Sequence, residues 1–268
     1  MAVHAHPDDE CITGGGALAK YAERGVRTVL VTCTLGEVGE IHDPDLEIDK
    51  VRDHLGEIRE RELRRACGLL GVSQVYLLGY RDSGMAGTAD NDHPQSFHRA
   101  DLNQATERLV GIMEQERPEV VFTYGPDGGY PHPDHLKAHR VTVDAVDRLR
   151  AAGADFPQRL YWAVWSRSTI QTVARMMRER GLRQPFGDDE QVEGGWPDDK
   201  ITTLIDVESQ LEMVHQALLC HRTQIAQDGF FVNTPEDIMR AALSRESFVR
   251  PEGLAPGAPL ETDLYPGT

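Results

Sequence analysis

The sequence predicts an α/β protein with a Rossmann-like, doubly wound and mostly parallel sheet, extended by additional C-terminal strands and helices. Short apolar runs alternate with longer amphipathic segments along the first two thirds of the 268 residues, which is typical of parallel strands joined by crossovers. Polar segments follow two of the strands, at the edge where open parallel sheets bind ligands. No repeat or strong linker interrupts this pattern. We therefore expect one domain over 1–268, with a core over 1–165 and C-terminal elements over 166–268 that complete the pocket.

The individual elements follow from apolar periodicity and from the residues that end helices. In the helix predicted over 14–24, Leu18 and Ala22 lie four residues apart on one face. The helix predicted over 101–116 ends shortly before Pro118. The predicted strands are Met1–Ala5, Val26–Thr32, Gln74–Leu78, Glu119–Tyr124, Arg159–Trp165 and Ile201–Val207. The predicted helices are Gly14–Arg24, Leu55–Leu70, Asp101–Glu116, His135–Leu149, Thr169–Arg180 and Glu208–Cys220. The stretches 183–200 and 251–268 are rich in proline and glycine, which predicts irregular structure.

Composition narrows the partners and the compartment. The chain has 44 acidic and 28 basic residues and a net charge of −16, whereas proteins that bind nucleic acids or anionic membranes normally have a basic surplus. The longest apolar run, Leu160–Trp165, is far shorter than the ~20 residues of a membrane span, and the N-terminus does not resemble an export signal. Cysteines 11, 33, 67 and 220 stand alone in the sequence, which favours reduced thiols in a cytoplasmic protein.

Two polar segments carry the candidate chemistry. His4–Glu10 contains His-Pro-Asp-Asp-Glu directly after the first strand, and Gly128–His135 ends in His-Pro-Asp-His after the fourth strand. Both segments place histidines and carboxylates on proline-stiffened turns at the same edge of the predicted sheet. The two turns are therefore predicted to form one site.

These residues fit a catalytic metal centre. Catalytic zinc usually takes three protein ligands and leaves a fourth position for water, and His6, Asp9 and His135 provide such a set. Zinc lowers the pKa of a coordinated water toward ~7, so the neighbouring Asp8 suffices as the general base. Fe²⁺ suits the same ligands.

Charge stabilisation is assigned to His132 and Asp134. A protonated His132, oriented by Asp134, would stabilise the oxyanion formed when water attacks an amide or ester carbonyl, or protonate the leaving amine. Alternatively, the two residues only cap the following helix. His135 and His139 form a rival metal pair, four residues apart, but the glutamate that usually follows the first histidine is replaced by Leu136.

The motifs His-Pro-Asp-Asp-Glu and His-Pro-Asp-His, in this order, resemble the PIG-L-type, LmbE-like family of zinc-dependent deacetylases, which act on N-acetylglucosamine-containing molecules. The likeness extends over residues 1–165 and continues more loosely in the C-terminal third. It implies a small amino-sugar substrate. The matching positions are His6, Asp9 and His135 for the metal, Asp8 for the general base, and His132 with Asp134 for the electrostatic pair.

Further positions resemble the actinobacterial branch of this family, which contains N-acetylglucosaminyl-inositol deacetylases and mycothiol S-conjugate amidases. The matching residues are Arg59, Asp82, Ser83, Gly84, Met85 and Tyr130. The resemblance implies that Arg59 and Asp82 bind sugar or inositol hydroxyls and that Tyr130 lies beside the attacked carbonyl. The segment 81–88 favours the deacetylase, whereas Tyr130-Pro131 and the segment 184–186 favour the amidase.

Several of these positions also have structural interpretations. Arg59 lies on the buried stripe of its helix, one turn from Leu55, where an arginine either pairs with a core carboxylate or lines a cavity. Asp82, taken without the family, is a turn residue in a glycine-flanked loop. His221 resembles part of a C-terminal patch that reaches the substrate pocket in the family. His4, at the end of the first strand, is expected to be a packed or supporting group.

Two alternatives concern phosphate or nucleotide binding. Gly14–Gly16 precedes a helix but lacks the G-x-G-x-x-G spacing of a dinucleotide loop, so a helix-start turn that brings the backbone close to the site is expected. The other alternative is a non-catalytic sugar- or nucleotide-binding α/β module, in which the histidine turns only cap helices.

Overall fold

A seven-stranded sheet forms the centre of the protein, whose computed structural model describes residues 1–183 and 194–265. The strands are β1 (Ala2–His4), β2 (Val29–Thr32), β3 (Gln74–Leu77), β4 (Val120–Tyr124), β5 (Arg159–Val164), β6 (Thr203–Asp206) and β7 (Arg245–Val249). Their order in space is β3-β2-β1-β4-β5-β7-β6. The first five are parallel, whereas β7 is antiparallel to both of its neighbours. The predicted α/β class with a mostly parallel sheet is confirmed.

Ten α-helices are found within the described residues. They are α1 (Asp9–Ile12), α2 (Gly15–Glu23), α3 (Ile48–Val51), α4 (Leu55–Leu69), α5 (Leu102–Glu116), α6 (Pro133–Ala151), α7 (Arg167–Glu179), α8 (Leu211–Leu218), α9 (Phe230–Asn233) and α10 (Glu236–Leu243). Short 3-10 turns cover Arg52–His54, Ala89–Asp92, Phe97–Arg99, Asp198–Lys200 and Glu208–Gln210. Across this part of the chain, none of the helices has the length and apolar character needed to cross a membrane.

The C-terminal third departs most from the predicted elements. The helix predicted over 208–220 is a 3-10 turn followed by the shorter α8. Strand β7 was not predicted, because Arg245, Glu246 and Ser247 occupy three of its five positions and hide the apolar alternation of a strand. β7 nevertheless pairs with both β5 and β6. The predicted core over 1–165 and the C-terminal elements over 166–268 therefore contribute strands to one sheet.

The order of the strands places the two polar segments side by side. From β1 the chain continues through β2 and β3 in one direction, then returns to place β4 on the other side of β1. Ligands bind in open α/β sheets at such a reversal, outside the carboxyl ends of the two strands. The segments after β1 and β4 therefore face the same crevice.

The sheet is covered by helices on both faces. Successive residues of a strand point to opposite faces, so Ala2 packs in a cluster with α2 and α4, whereas Val3 packs in a cluster with α5 and α6. His4 is fully buried, with its ring 5.9 Å from Phe122 and 5.3 Å from Tyr124. It is thus a packed group at the end of β1.

The glycines at the start of α2 allow close packing. A Cβ on Gly14 would lie 2.5 Å from Cε2 of Phe122, and a Cβ on Gly16 would lie 2.6 Å from Cβ of Val207. The first amides of α2 are bound by the Glu246 carboxylate, at 2.7 Å from the amide of Gly16 and 2.9 Å from the next amide. The close approach is therefore to the sheet, and a carboxylate of the chain itself takes the place that a phosphate would need.

Candidate active site

The turn after β1 (residues 6–10, the first turn) has an unusual backbone conformation. Asp8 has a φ of +106°, a region that costs a non-glycine residue about 1–3 kcal/mol. Arg59 Nη2 donates to the carbonyl of Pro7 at 2.6 Å, and the amide of Asp8 donates to Oε2 of Glu10 at 2.9 Å. The peptide between Pro7 and Asp8 is thus held by a hydrogen bond at each end.

Arg59 is a buried partner of Asp8. Its Nη2 lies 3.3 Å from Oδ2 of Asp8, and its Nη1 donates to the carbonyl of Gly36 at 2.9 Å. Gly36 has a φ of +64°, and a Cβ there would lie 2.0 Å from Nη1, so the guanidinium requires glycine at this position. The carboxylate that Arg59 pairs with therefore belongs to the site itself.

Asp9 connects the two turns. Its Oδ2 accepts hydrogen bonds from the amide of His6 at 2.9 Å and from the hydroxyl of Tyr124 at 2.6 Å. The same oxygen lies 3.5 Å from Nδ1 of His6, and Oδ1 lies 3.4 Å from Nε2 of His135. The structure therefore brings the three predicted ligand residues together.

The turn after β4 (residues 128–135, the second turn) leads into α6. His135 Nδ1 lies 2.9 Å from the carbonyl of Gly128, which fixes the proton on Nδ1 and leaves the Nε2 lone pair free. That Nε2 atom is buried without a hydrogen-bond partner in the described part of the chain. Its geometry is that of a histidine prepared to bind a metal, with the other ring nitrogen fixed by a backbone carbonyl.

Asp134 is oriented away from the ring that it was predicted to orient. One oxygen accepts from the amide of Ser83 at 2.9 Å and lies 3.4 Å from Nε2 of His6, and the other accepts from the Ser83 hydroxyl. The contact with His132 runs through the backbone: the Asp134 amide donates to Nδ1 of His132 at 3.2 Å, which caps α6. The expected orientation of His132 by this carboxylate is thus corrected, because Ser83 engages both carboxylate oxygens.

The protonation state of His132 also differs from the expected one. Burial and the positive charge of the neighbouring His6 lower the pKa of His132 to about 4, so its ring is neutral at pH 7. Because Nδ1 accepts the Asp134 amide, the single ring proton lies on Nε2. His132 is therefore a neutral hydrogen-bond donor.

The predicted substrate-binding residues lie at different depths. Asp82 is buried, and its Oδ1 lies 3.5 Å from Nε2 of His6, so it belongs to the histidine cluster and is more than a turn residue. Tyr130 is 49% exposed, with its ring centroid 4.6 Å from that of His135, which places it on the rim of the site. Met85 is 48% exposed in the turn after Asp82. The segment 184–186 lies outside the described residues.

Three clusters of potential metal ligands are present in the described residues. Each cluster brings its ligand atoms within 4.8 Å of one another; they are His6 with His132 and His135, His6 with Asp82 and Asp134, and Glu10 with Cys11 and His221. Asp9 belongs to none of the three clusters, and its place at the site rests on its contacts of 3.5 Å with His6 and 3.4 Å with His135. His139 is also outside them, and its ring lies 5.5 Å from that of Trp162. Within the described residues, the ring nitrogens of His135 are therefore grouped with those of His6 and His132 and not with those of His139.

The charges of the first two clusters fit a divalent cation. Burial alone lowers the pKa of His6, but hydrogen bonds to Asp134, Asp82 and Asp9 outweigh it and raise that pKa well above its ordinary value. The three carboxylates are themselves buried, which is costly unless a cation or hydrogen bonds compensate them. Together with the unpaired Nε2 of His135, this carboxylate excess is the chemistry of a metal-binding site.

Sequence reasoning assigned no role to Tyr124 and gave Ser83 no role of its own. Tyr124 looked like an ordinary strand residue, and only the pairing of β1 with β4 brings its hydroxyl to Asp9. Ser83 stood within the motif that carried the family resemblance, and that position was the available signal. Glu10, the last residue of the first motif, was likewise given no role, although its carboxylate is fully buried beside Asp8.

Comparison with known proteins places this site in a family. The PIG-L family model, described as GlcNAc-PI de-N-acetylase, matches residues 1–146. A 1D-myo-inositol 2-acetamido-2-deoxy-alpha-D-glucopyranoside deacetylase from Acidothermus cellulolyticus is 45% identical, covering 100% of this chain and 94% of that protein. The protein of the same name from Thermomonospora curvata is 40% identical, covering 99% and 95%. The N,N'-diacetylchitobiose deacetylase from Pyrococcus horikoshii shares the fold, with a TM-score of 0.60 at 22% identity over 93% of this chain and 82% of that one. The chain therefore belongs to the PIG-L family.

Proposed function

We propose that the protein is a divalent-metal-dependent N-deacetylase that removes the acetyl group from an N-acetylglucosaminyl-inositol. The observation that carries the proposal is the meeting of the two turns, where the unpaired Nε2 of His135 faces Asp9 at 3.4 Å beside the partly buried Asp8. Full-length relatives at 45% and 40% identity carry the name of this deacetylase, which favours it over the mycothiol S-conjugate amidase. Four unpaired cysteines support a cytoplasmic location.

We assign His6, Asp9 and His135 as the ligands of the ion. A set of three nitrogen and carboxylate donors favours zinc, which keeps a further position for water in catalytic sites, and Fe²⁺ accepts the same donors. When bound, the ion polarises the amide carbonyl and lowers the pKa of water at the site.

Asp8 is the proposed general base. Burial raises its pKa to about 6, although the charge of Arg59 opposes this shift. A carboxylate with this pKa is still ionised at pH 7 but is a stronger base than an ordinary aspartate. Since Arg59 holds Oδ2 at 3.3 Å, we assign Oδ1 to take the proton of the attacking water and to return it to the departing amine. The C–N bond breaks as the amine is protonated, giving a free glucosamine nitrogen and acetate.

His132 is the proposed oxyanion donor. Its proton is fixed on Nε2 by the amide of Asp134, so it donates a hydrogen bond to the carbonyl oxygen as negative charge develops there. Substrate is held by Asp82 next to the histidines and by Tyr130 and Met85 on the rim. Arg59 donates to the carbonyls of Gly36 and Pro7 through Nη1 and Nη2, and its Nε is buried, so we assign it to holding Asp8 beside the substrate.

Metal analysis combined with an amide-hydrolysis assay tests this function. Protein purified without chelator should contain about one equivalent of zinc or iron and lose activity on chelation. His135→Ala should lose both metal and activity. N-acetylglucosaminyl-inositol should be hydrolysed faster than a bulky mycothiol S-conjugate, and a rate about tenfold in favour of the conjugate would establish the amidase instead. Less than about a tenth of an equivalent of metal, with no effect of chelators, would favour the non-catalytic binding module.

A further inference from the structure

We infer that the buried pair of Glu10 and His221 is a positioning device for Asp8, holding the backbone of the proposed base rather than contacting substrate. This inference rests on the proposed function of Asp8. Glu10 and His221 are both 0% exposed, and they lie 211 residues apart in the sequence. The pair therefore links the first turn to the C-terminal third of the chain.

The two carboxylate oxygens of Glu10 bind different partners. Oε2 accepts the amide of Asp8 at 2.9 Å, while Oε1 lies 2.6 Å from Nε2 of His221 and accepts the Cys11 thiol at 3.2 Å. Both oxygens are thus used by groups of the protein, and the side chain is closed off from solvent. Glu10 is consequently placed to act through Asp8.

The backbone of Asp8 needs such a partner. Its φ of +106° is unfavourable for an aspartate and persists only where neighbours determine it. Arg59 binds the carbonyl of Pro7 at 2.6 Å and Glu10 binds the amide of Asp8, so rotation of that peptide would break both hydrogen bonds. Removal of the Glu10 carboxylate frees one end of the peptide, and the Asp8 side chain then loses its fixed direction.

His221 is itself firmly placed. It follows α8, which packs against α4 and the short α1. Its amide donates to the carbonyl of Leu218 at 3.0 Å, and its own carbonyl accepts the amides of Gln224 and Ile225, each at 2.9 Å. The hydrogen-bonded turn after α8 therefore holds the His221 imidazole against Glu10.

A second metal ion is the competing interpretation of this cluster, since Glu10, Cys11 and His221 bring ligand atoms within 4.8 Å of one another. An ion there would have to displace either the Asp8 amide or the 2.6 Å contact between the two side chains. The existing hydrogen bonds satisfy both carboxylate oxygens, so we favour the positioning role. The metal stoichiometry decides between them.

The first experiment compares Glu10→Ala with Glu10→Gln in the metal-loaded enzyme. Glu10→Ala should lower kcat by about 100-fold, because a misplaced base of this kind costs that much, with KM changed by less than about twofold. Metal content should stay at about one equivalent. Glu10→Gln keeps an acceptor for the Asp8 amide and should recover most of the lost kcat. An unchanged kcat in Glu10→Ala, a rise in KM alone, or a second equivalent of metal lost with the variant would overturn the inference.

The second experiment repeats Glu10→Ala in an Asp8→Asn background. A residue that acts through Asp8 should have little further effect there, whereas a general structural defect should lower the residual rate again by the same factor. If Glu10→Ala fails to fold, His221→Ala and His221→Gln provide the same test. Glutamine keeps a donor for Oε1, so His221→Gln should be clearly faster than His221→Ala, and equal rates would overturn the inference.

These results are separable from the proposed function. An inactive wild-type enzyme, or an Asp8→Asn variant as active as wild type, would refute Asp8 as the base and with it the deacetylase mechanism. Loss of activity in Asp8→Asn with normal kcat in Glu10→Ala would refute only the positioning role of Glu10 and His221.

Discussion

The two turns that form the site are built in opposite ways. The first turn is buried and is held by distant residues, with Arg59 binding Pro7 and Asp8, and Tyr124 binding Asp9. The second turn is partly exposed: Tyr130 is 49% accessible, and two glycines with positive φ precede it. In the proposed mechanism, the buried first turn fixes the groups that activate water, and the partly exposed second turn supplies groups that meet the substrate at the rim.

The strongest test of this contrast is the removal of the base from the first turn. Asp8→Asn keeps the shape of the side chain and one oxygen for Arg59, but it cannot take a proton. We expect kcat to fall by about 10³-fold, within the range for loss of a general base. Metal content should not change, because Asp8 is not a proposed ligand. Steady-state kinetics and metal analysis of the same preparation measure both effects.

The matched control for Asp8→Asn is His135→Ala, in which metal and activity should disappear together. If Asp8→Asn also lost its metal, Asp8 would belong to the ligand set. If it kept full activity, the first turn would serve only to hold metal, and the division between the turns would fail.

Removal of the oxyanion donor from the second turn should have a smaller effect. His132→Ala should lower kcat by about 100-fold, which is typical for one donor of an oxyanion hole. His132→Gln should recover part of this loss, because its amide nitrogen reaches the position of Nε2. Metal content is the discriminating measurement, since the His132 ring nitrogens also lie near those of His6 and His135. Loss of metal in His132→Ala would show that this residue is a metal ligand and not an oxyanion donor.

The sequence predicted the parts of the site that depend on local order along the chain. The alternation of strands and helices predicts that both turns lie at the same edge of the sheet, and the observed reversal between β1 and β4 brings His6, Asp9 and His135 together there. Contacts between residues far apart in the chain, which arise only from packing, were not predicted from the sequence. Tyr124 meets Asp9 across 115 residues, and Glu10 meets His221 across 211.

Charge states were equally hard to predict from the sequence. His132 was expected to be protonated, but its pKa depends on burial and on the other histidines, which the spacing of a motif does not contain. The direction of the Asp134 carboxylate depends on Ser83, which a separate loop brings to α6. Strand β7 was not predicted, because Glu246 is a charged residue within it. Its carboxylate accepts hydrogen bonds from the first amides of α2.

The second turn offers a matched pair of glycines. Gly128 and Gly129 have φ values of +72° and +75°, so the backbone strain of alanine at either position should cost about 1–2 kcal/mol. A Cβ on Gly128 would also lie 3.0 Å from Cβ of His135, whereas a Cβ on Gly129 would meet no atom within 4 Å. We therefore expect Gly128→Ala alone to lower activity, by about tenfold, through displacement of His135.

Thermal melting and metal titration of the two alanine variants separate these effects. Weaker metal binding in Gly128→Ala but not in Gly129→Ala, with both variants folded at the assay temperature, would show that the turn positions His135 for the ion. Equal activity of the two variants would mean that the second turn adapts to the added methyl group, and the proposed dependence of His135 on its geometry would be wrong.

The smallest effect is expected at Tyr130, whose half-exposed ring contacts His135 edge to face at 4.6 Å. Such ring contacts contribute about 0.5–1.5 kcal/mol, so Tyr130→Ala should raise KM by no more than about tenfold while metal content stays constant. Tyr130→Phe keeps the ring, so the free-energy change that corresponds to its rise in KM should be less than half of that for Tyr130→Ala. A larger change would show that the hydroxyl itself binds substrate. Loss of metal in Tyr130→Ala would show that this exposed ring holds His135 as rigidly as Tyr124 holds Asp9. The second turn would then be as fixed as the first, and the contrast between the two turns would be one of exposure alone.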